Sequence, residues 1–150
     1  MAKSTDEEVT TDLIETLEDG RSGFEHAAKR LEDSDRADIA SRFAVFSAQR
    51  AEVSTELEAL AANSGDDIDE DGSIAAAVDR GWISVKDAVT GVDVAGVLTA
   101  ALTGEDHAIS ENRDALDQEI SAELRDVVER QIAAIEAVHF ELKVFAETDH

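Results

Sequence analysis

The sequence predicts an all-α protein, because several of its features favour long helices over strands. Proline is absent from the 150 residues, so no proline interrupts a helix from within. The hydrophobic residues make up 43% of the chain and are mostly Ala, Val, Ile and Leu, with five Phe, one Trp and no Tyr. Over long stretches these residues recur every three or four positions, which is the period of an amphipathic helix. We expect one domain, 1–150, that is long enough to bury a sizeable core.

Two long helices are predicted in the N-terminal half. The first covers about residues 6–32, and the second begins after Ser34 or Asp35 and ends near residue 62. The predicted inward positions are Val9, Leu13, Leu17, Phe24, Ala28 and Leu31 in the first helix, and Ile39, Phe43, Phe46, Val53, Leu57, Leu60 and Ala61 in the second. Gly20 and Gly23 lie beside the first stripe. A glycine inside a helix costs about 1 kcal/mol relative to alanine, so this pair predicts close approach of a neighbouring helix.

Two more long helices are predicted at about residues 93–116 and from residue 121 onwards. Between them and the N-terminal pair, residues 63–91 form a polar loop and a shorter helix. That helix, about 18 residues and so about 27 Å long, can carry the chain back along the bundle. The second and third long helices would then run parallel. This is the arrangement of ferritin-like four-helix bundles with one long crossover.

A few polar residues fall on the inward faces of these helices. The apolar stripes consist of Val94, Leu98, Ala101, Leu102, Ile109 and Leu116, and of Leu124, Val127, Val128, Ile135, Val138, Leu142 and Phe145. By the same count Arg50, Glu105, Asn112, Gln131 and His139 also point inward. A carboxylate buried in such a face must be paired, protonated or bound to a metal ion, because burying it alone costs several kcal/mol.

One interpretation of these residues is structural. Arg50 and Glu105 lie near the midpoints of their helices, so they fall at a similar height in the bundle. Gln131 lies about one turn away. We therefore expect a buried ion pair between Arg50 and Glu105, extended by Gln131, which fixes the register of the helices.

The alternative interpretation is a metal site. Glu136 and His139 form a Glu-x-x-His motif, whose two side chains share one face of a helix and can ligate one metal ion. The ligand candidates for a di-iron centre are Glu18, Glu25, Gln49, Glu52, Glu56, Glu105, Glu136 and His139. A second Glu-x-x-His motif is missing from the second helix, which has Gln49-Arg50-Ala51-Glu52 instead and so places a cation where a metal ion would bind.

Charge and composition limit the other functions. The formal net charge is −23, from 36 acidic residues against 13 Lys and Arg. We interpret this as adaptation to a high-salt cytoplasm, with a cation-attracting surface as the functional alternative. The chain has no basic patch for nucleic acid and no apolar run long enough for a membrane span or signal peptide. It also has no cysteine, so disulfides, thiolate metal sites and cysteine nucleophiles are excluded.

Several blocks of sequence, in order, resemble a known family. They are Leu13-Ile14-Glu15, Asp19-Gly20, Gly23-Phe24, Gln49-Arg50-Ala51, Glu56-Leu57, Arg80-Gly81-Trp82, Lys86, Thr90-Gly91, Gly104-Glu105-Asp106, Val128-Glu129-Arg130-Gln131 and His139. The chain is similar over nearly its whole length to the ferritin-like four-helix-bundle family of unknown function, which consists mostly of bacterial hypothetical proteins. The resemblance implies a ferritin-like fold and no established activity. The absence of prolines around the loops and the heavy acidity depart from the family's usual pattern.

The sequence carries no phosphate-binding loop, hydrolase triad or zincin motif. Our leading hypothesis is a non-enzymatic, oligomeric, cytoplasmic protein whose buried polar core is structural and which needs no cofactor. The alternative hypothesis is a carboxylate-bridged di-iron protein for iron oxidation, iron storage or peroxide removal.

Overall fold

The computed structural model describes residues 5–32, 34–63 and 94–148, and these residues form four long helices. The helices are α1 (Thr5–Leu31), α2 (Ala37–Asn63), α3 (Val94–Leu116) and α4 (Ala122–Thr148). The part of the chain so described contains no strand, which confirms the all-α class. The predicted crossover helix and Trp82 fall in residues 64–93, outside the described residues.

Serine hydroxyl groups define two of the helix boundaries. Ser34 lies between α1 and α2, and its Oγ accepts a hydrogen bond from the backbone N–H of Arg36 at 3.0 Å. Ser121 precedes α4, and its Oγ accepts a hydrogen bond from the N–H of Leu124 at 3.3 Å, in the manner of an N-cap. The N–H of Ser121 in turn donates to Oδ1 of Asp6 at 2.9 Å, which ties the start of α1 to the turn before α4.

Ion pairs between α2 and α4 define the relative directions of the helices. Arg42 near the start of α2 contacts Glu141 near the end of α4, at 2.7 Å. Glu56 near the end of α2 contacts Arg130 near the start of α4, also at 2.7 Å. These two helices are therefore antiparallel. Because a short turn also makes α3 antiparallel to α4, α2 and α3 run parallel, as the sequence predicted.

The interior consists of two apolar clusters with polar residues between them. One cluster includes Phe24, Leu31, Ile39, Phe43, Phe46, Leu98, Ala101, Val138 and Leu142, and the other includes Val9, Leu13, Ile14, Leu17, Leu57, Ala115, Leu124, Val127 and Val128. Arg50, Glu105 and Gln131 are buried at positions between these clusters along their own helices. The bundle is thus held by apolar packing towards both ends and has a polar layer near its middle.

The buried faces of the helices differ from the predicted ones at their edges. Several residues predicted to be inward are only partly buried: Ala28, Val53, Leu60, Val94, Leu102, Ile109, Leu116 and Phe145. Ala27, beside Ala28, is fully buried instead.

The outer faces of the described helices are mainly polar. Three large hydrophobic side chains are exposed there, Phe140 at 71%, Val45 at 41% and Val144 at 40%. Among the helices described, none is both long and apolar enough to cross a membrane.

Candidate functional site

The central polar feature is an ion pair between Arg50 of α2 and Glu105 of α3. The two residues are 3% and 0% exposed, so both charges are buried. Nη1 of Arg50 donates a hydrogen bond to Oε1 of Glu105 at 2.8 Å, and Nη2 donates to Oε2. This parallel, two-point geometry is the strongest that a guanidinium group forms with a carboxylate. Both oxygens of Glu105 are therefore held by Arg50.

Helix α1 supports the guanidinium group from a second side. The ring of Phe24 lies 5.4 Å from Cζ of Arg50, within the range of a cation–π interaction. A Cβ atom placed on Gly20 would lie only 3.1 Å from Nη1 of Arg50, which is a tight contact. The close approach predicted at Gly20 thus involves a side chain of α2. A larger residue at position 20 would push the guanidinium group against the hydrogen bonds that hold it to Glu105.

Burial controls the ionisation of Glu105. Desolvation is the largest influence and raises the pKa of the Glu105 carboxyl group above its usual value, while the charge and hydrogen bonds of Arg50 oppose that rise. The guanidinium group of Arg50 stays protonated throughout, because arginine does not lose its proton in proteins. Glu105 is therefore the member of the pair whose charge can change with pH.

The raised pKa predicts a pH dependence of stability. Below the usual glutamate value of 4.5, Glu105 is protonated in both the folded and the unfolded chain. At higher pH the unfolded chain loses this proton first, so the contribution of Glu105 to stability is lost as the pH rises through the raised pKa. We expect the free energy of unfolding of the wild type, minus that of Glu105→Gln, to fall with rising pH. Urea denaturation of both proteins across a pH series measures this difference. A difference that grows with pH would show that the charge of Arg50 outweighs desolvation in setting the pKa of Glu105.

Gln131 of α4 is buried beside this pair but does not extend it through its amide N–H groups. It is 4% exposed, and its Nε2 has no hydrogen-bond partner among the residues that the structure describes. The expected continuation of the ion pair is therefore not seen at this atom, and the hydrogen bonds to both oxygens of Glu105 come from Arg50. Of the other polar residues predicted inward, Asn112 is buried and donates from Nδ2 to the backbone oxygen of Ala108 at 2.8 Å.

The metal-ligand candidates of α1 are bound to other side chains. Glu18 accepts hydrogen bonds from Nε of Arg21 at 2.7 Å and from Oγ of Ser54 at 3.1 Å. Glu25 is exposed and pairs with Arg21 at 3.0 Å and Lys29 at 3.4 Å. Both carboxylate groups are neutralised locally by cations of their own helix.

The candidates of α2 lie towards the solvent or towards α4. Gln49 and Glu52 are exposed, because they flank the buried Arg50 on the outer side of the helix. Glu56 is 42% exposed in its side chain and pairs with Arg130 of α4 at 2.7 Å. These three residues are not brought together with Glu105.

The Glu-x-x-His motif of α4 faces the seam with α3. Glu136 is half exposed and lies 3.7 Å from Arg113. Nε2 of His139 lies 2.8 Å from Oδ1 of Asp106, a contact that the sequence does not predict because Asp106 falls outside the apolar stripe of α3. Asp106, Arg113, Glu136 and His139 line a cleft of about 550 Å³ between the two helices. The motif therefore faces the α3–α4 seam, and its His139 is close enough to Glu105 to influence the ionisation of that carboxyl group electrostatically.

The structure therefore does not gather the predicted ligands into one site. Within residues 5–32, 34–63 and 94–148, no group of three or more His, Cys, Asp or Glu side chains is arranged to hold a metal ion. Gly20 and Phe24 complete the surroundings of Arg50, and of these two only Gly20 had indicated a close contact in the sequence.

The fold and this polar layer define the class of protein, a helical bundle with a buried ion pair. A family described as a domain of unknown function, DUF2383, matches residues 7–118, and the chain belongs to this family. The match covers α1 to α3 and ends in the turn before α4. No curated protein and no solved structure matches the chain.

Proposed function

We propose that this protein is a non-enzymatic bundle of the ferritin-like type, in which the Arg50–Glu105 pair is structural. The observation that carries the proposal is the occupation of both Glu105 oxygens by the guanidinium group of Arg50. A metal ion bound to this carboxylate would lie next to a fixed positive charge, which repels it. The parallel course of α2 and α3 supports the ferritin-like arrangement.

The buried pair would select one packing of the bundle. A misregistered α2 or α3 would leave one of the two charges buried without its partner, at a cost of several kcal/mol. Apolar layers alone discriminate less between registers, since a slipped helix can still bury apolar side chains. The pair thus contributes specificity of packing, whatever its net contribution to stability.

The setting of the protein is part of the same proposal. A net charge of −23 suits a cytoplasm rich in salt, where screening reduces the repulsion between acidic groups. The exposed side chains of Phe140 and Val144, one turn apart on α4, support an oligomer. The acidity also makes nucleic acid an unsuitable partner, because both carry negative charge.

Iron binding tests the proposal against the di-iron alternative. We expect protein purified without chelators to contain far less than one metal ion per chain, and to leave the rate of aerobic Fe(II) oxidation at that of buffer. The variant Glu105→Gln should behave identically, since Glu105 ligates no metal in this account. About two iron ions per chain with fast oxidation, both lost in Glu105→Gln, would establish the di-iron function instead.

A further inference from the structure

Helix α4 carries a second apolar stripe, on the face that points away from the core. Ala133, Ala137, Phe140 and Val144 follow one another in steps of four, three and four residues, which is the spacing of a heptad seam. All four side chains are exposed. At about 100° per residue they lie nearly opposite the buried face of α4, so the bundle itself leaves this stripe uncovered.

The side chains of the stripe are complementary in size to those of a second, antiparallel copy. When two such stripes pack antiparallel, Ala137 lies opposite Phe140 of the partner subunit, and Ala133 lies opposite Val144 of the partner subunit. Each layer therefore sets a small side chain against a larger one. A two-fold axis repeats every contact, which is the self-complementarity that a symmetric dimer requires.

The charges beside the stripe favour the same orientation. Glu136 and Lys143 border it on the side towards α3, and positions of this kind meet each other across an antiparallel helix pair. Glu136 then lies beside Lys143 of the partner subunit, and the symmetry makes two such contacts of opposite charge. A parallel pair would instead place Glu136 beside Glu141 of the partner subunit, which is repulsive.

Both charges are available for such contacts. Lys143 is exposed and forms no ion pair within the part of the chain that the structure describes. Glu136 is half exposed, and its contact with Arg113 is long, at 3.7 Å. In a chain with 36 acidic residues against 13 Lys and Arg, a lysine without a partner beside an exposed phenylalanine is unusual. An acidic group of a second copy would supply that partner.

We infer that two copies of this chain associate through the outer face of α4 as an antiparallel, two-fold symmetric dimer. Phe140 of each copy packs on Ala137 of the partner subunit, and Glu136 pairs with Lys143 of the partner subunit. This inference rests on the oligomer in the proposed function and adds its interface, symmetry and orientation. One helix from each copy makes a small interface, so we expect a dissociation constant in the micromolar range.

Sedimentation equilibrium of the full chain over a range of concentrations measures the association. In about 0.15 M KCl, charges further apart than about 8 Å are screened, whereas contact ion pairs still act. We expect a monomer–dimer equilibrium that Phe140→Ser weakens roughly thirtyfold or more, because an apolar anchor is lost from both subunits. Val45→Ser, which changes an exposed valine of α2 outside the interface, is the matched control and should leave it unchanged. Circular dichroism checks that each variant keeps its helices.

Two charge reversals test the orientation. Glu136→Lys and Lys143→Glu each bring like charges together at both contacts, so each variant alone should dimerise about three- to tenfold more weakly than the wild type. An equimolar mixture of the two variants restores opposite charges at both contacts and should associate about as well as the wild type. Glu136→Lys also makes the chain less negative, so a response to net charge alone would have the opposite sign.

Each other result would overturn a stated part of the inference. A chain that stays monomeric at all concentrations would overturn the dimer. A dimer that Phe140→Ser leaves intact would overturn this interface, while the oligomer of the proposed function would stand. Tighter association of Glu136→Lys, or no recovery in the mixture, would overturn the antiparallel orientation. The iron assay decides on the structural role of the ion pair separately, because Glu105 is buried away from this face.

Discussion

Replacement of Glu105 by alanine is expected to destabilise the protein by about 3–5 kcal/mol. The substitution leaves the guanidinium group of Arg50 buried without its counter-charge, and arginine cannot relieve this by losing a proton. Urea denaturation at neutral pH, monitored by circular dichroism, measures the loss.

Glu136→Ala is the matched control for this variant. Glu136 also pairs with an arginine across helices, but its side chain is 51% exposed and the contact with Arg113 is 3.7 Å long. An exposed pair of this kind contributes about 0–1 kcal/mol, so the control should remain close to the wild type. If the two variants lost similar amounts of unfolding free energy, burial would not make the Arg50–Glu105 pair more important for stability than an exposed pair.

Phe24→Ala is expected to cause a loss of similar size, about 3–5 kcal/mol, for a different reason. Phe24 is fully buried, with its ring centroid 5.2 Å from that of Phe43 and 5.3 Å from that of Phe46, both in edge-on contacts. Its ring also covers the guanidinium group of Arg50. The truncation would therefore open a cavity in the apolar cluster and weaken the support of the ion pair. Thermal or urea unfolding measures the effect.

Phe145→Ala provides the comparison for Phe24. Phe145 packs against the same apolar cluster but is only partly buried, so its truncation should cost about 1 kcal/mol. If Phe145→Ala destabilised the protein as much as Phe24→Ala, the loss would reflect general removal of aromatic surface. The specific role of the Phe24 ring beside Arg50 would then be contradicted.

The helices could be predicted because their signals are local. The observed bounds of α1 and α3 and the observed start of α4 agree with the predicted ones to within one or two residues, since the spacing of apolar residues and, before α4, the cap at Ser121 are local signals. The contact of Arg50 with Glu105 could also be predicted from the sequence, because both residues lie on inward faces near the middle of their helices. When the helices pack, side chains at the same height on the inward faces of one bundle come close to each other.

The rest of the candidate site depended on features that periodicity does not resolve. Glu136 and His139 each follow a buried position of α4, Ile135 and Val138, so they are rotated by about 100° from the core towards α3. The spacing of apolar residues along a helix does not predict on which side of its apolar stripe a neighbouring helix will lie. The partner of His139 and the unsatisfied Nε2 of Gln131 likewise depend on inter-helix distances and side-chain rotamers.

The most direct test of the structural role of the ion pair is the double variant Arg50→Met/Glu105→Leu. Each single substitution leaves one buried group without its partner, whereas the double variant replaces both charges with apolar side chains of similar size. We expect each single variant to lose several kcal/mol, and the double variant to recover to within about 1 kcal/mol of the wild type or better. If the losses of the two single variants simply added in the double variant, Arg50 and Glu105 would not act as a pair, and the account would be contradicted.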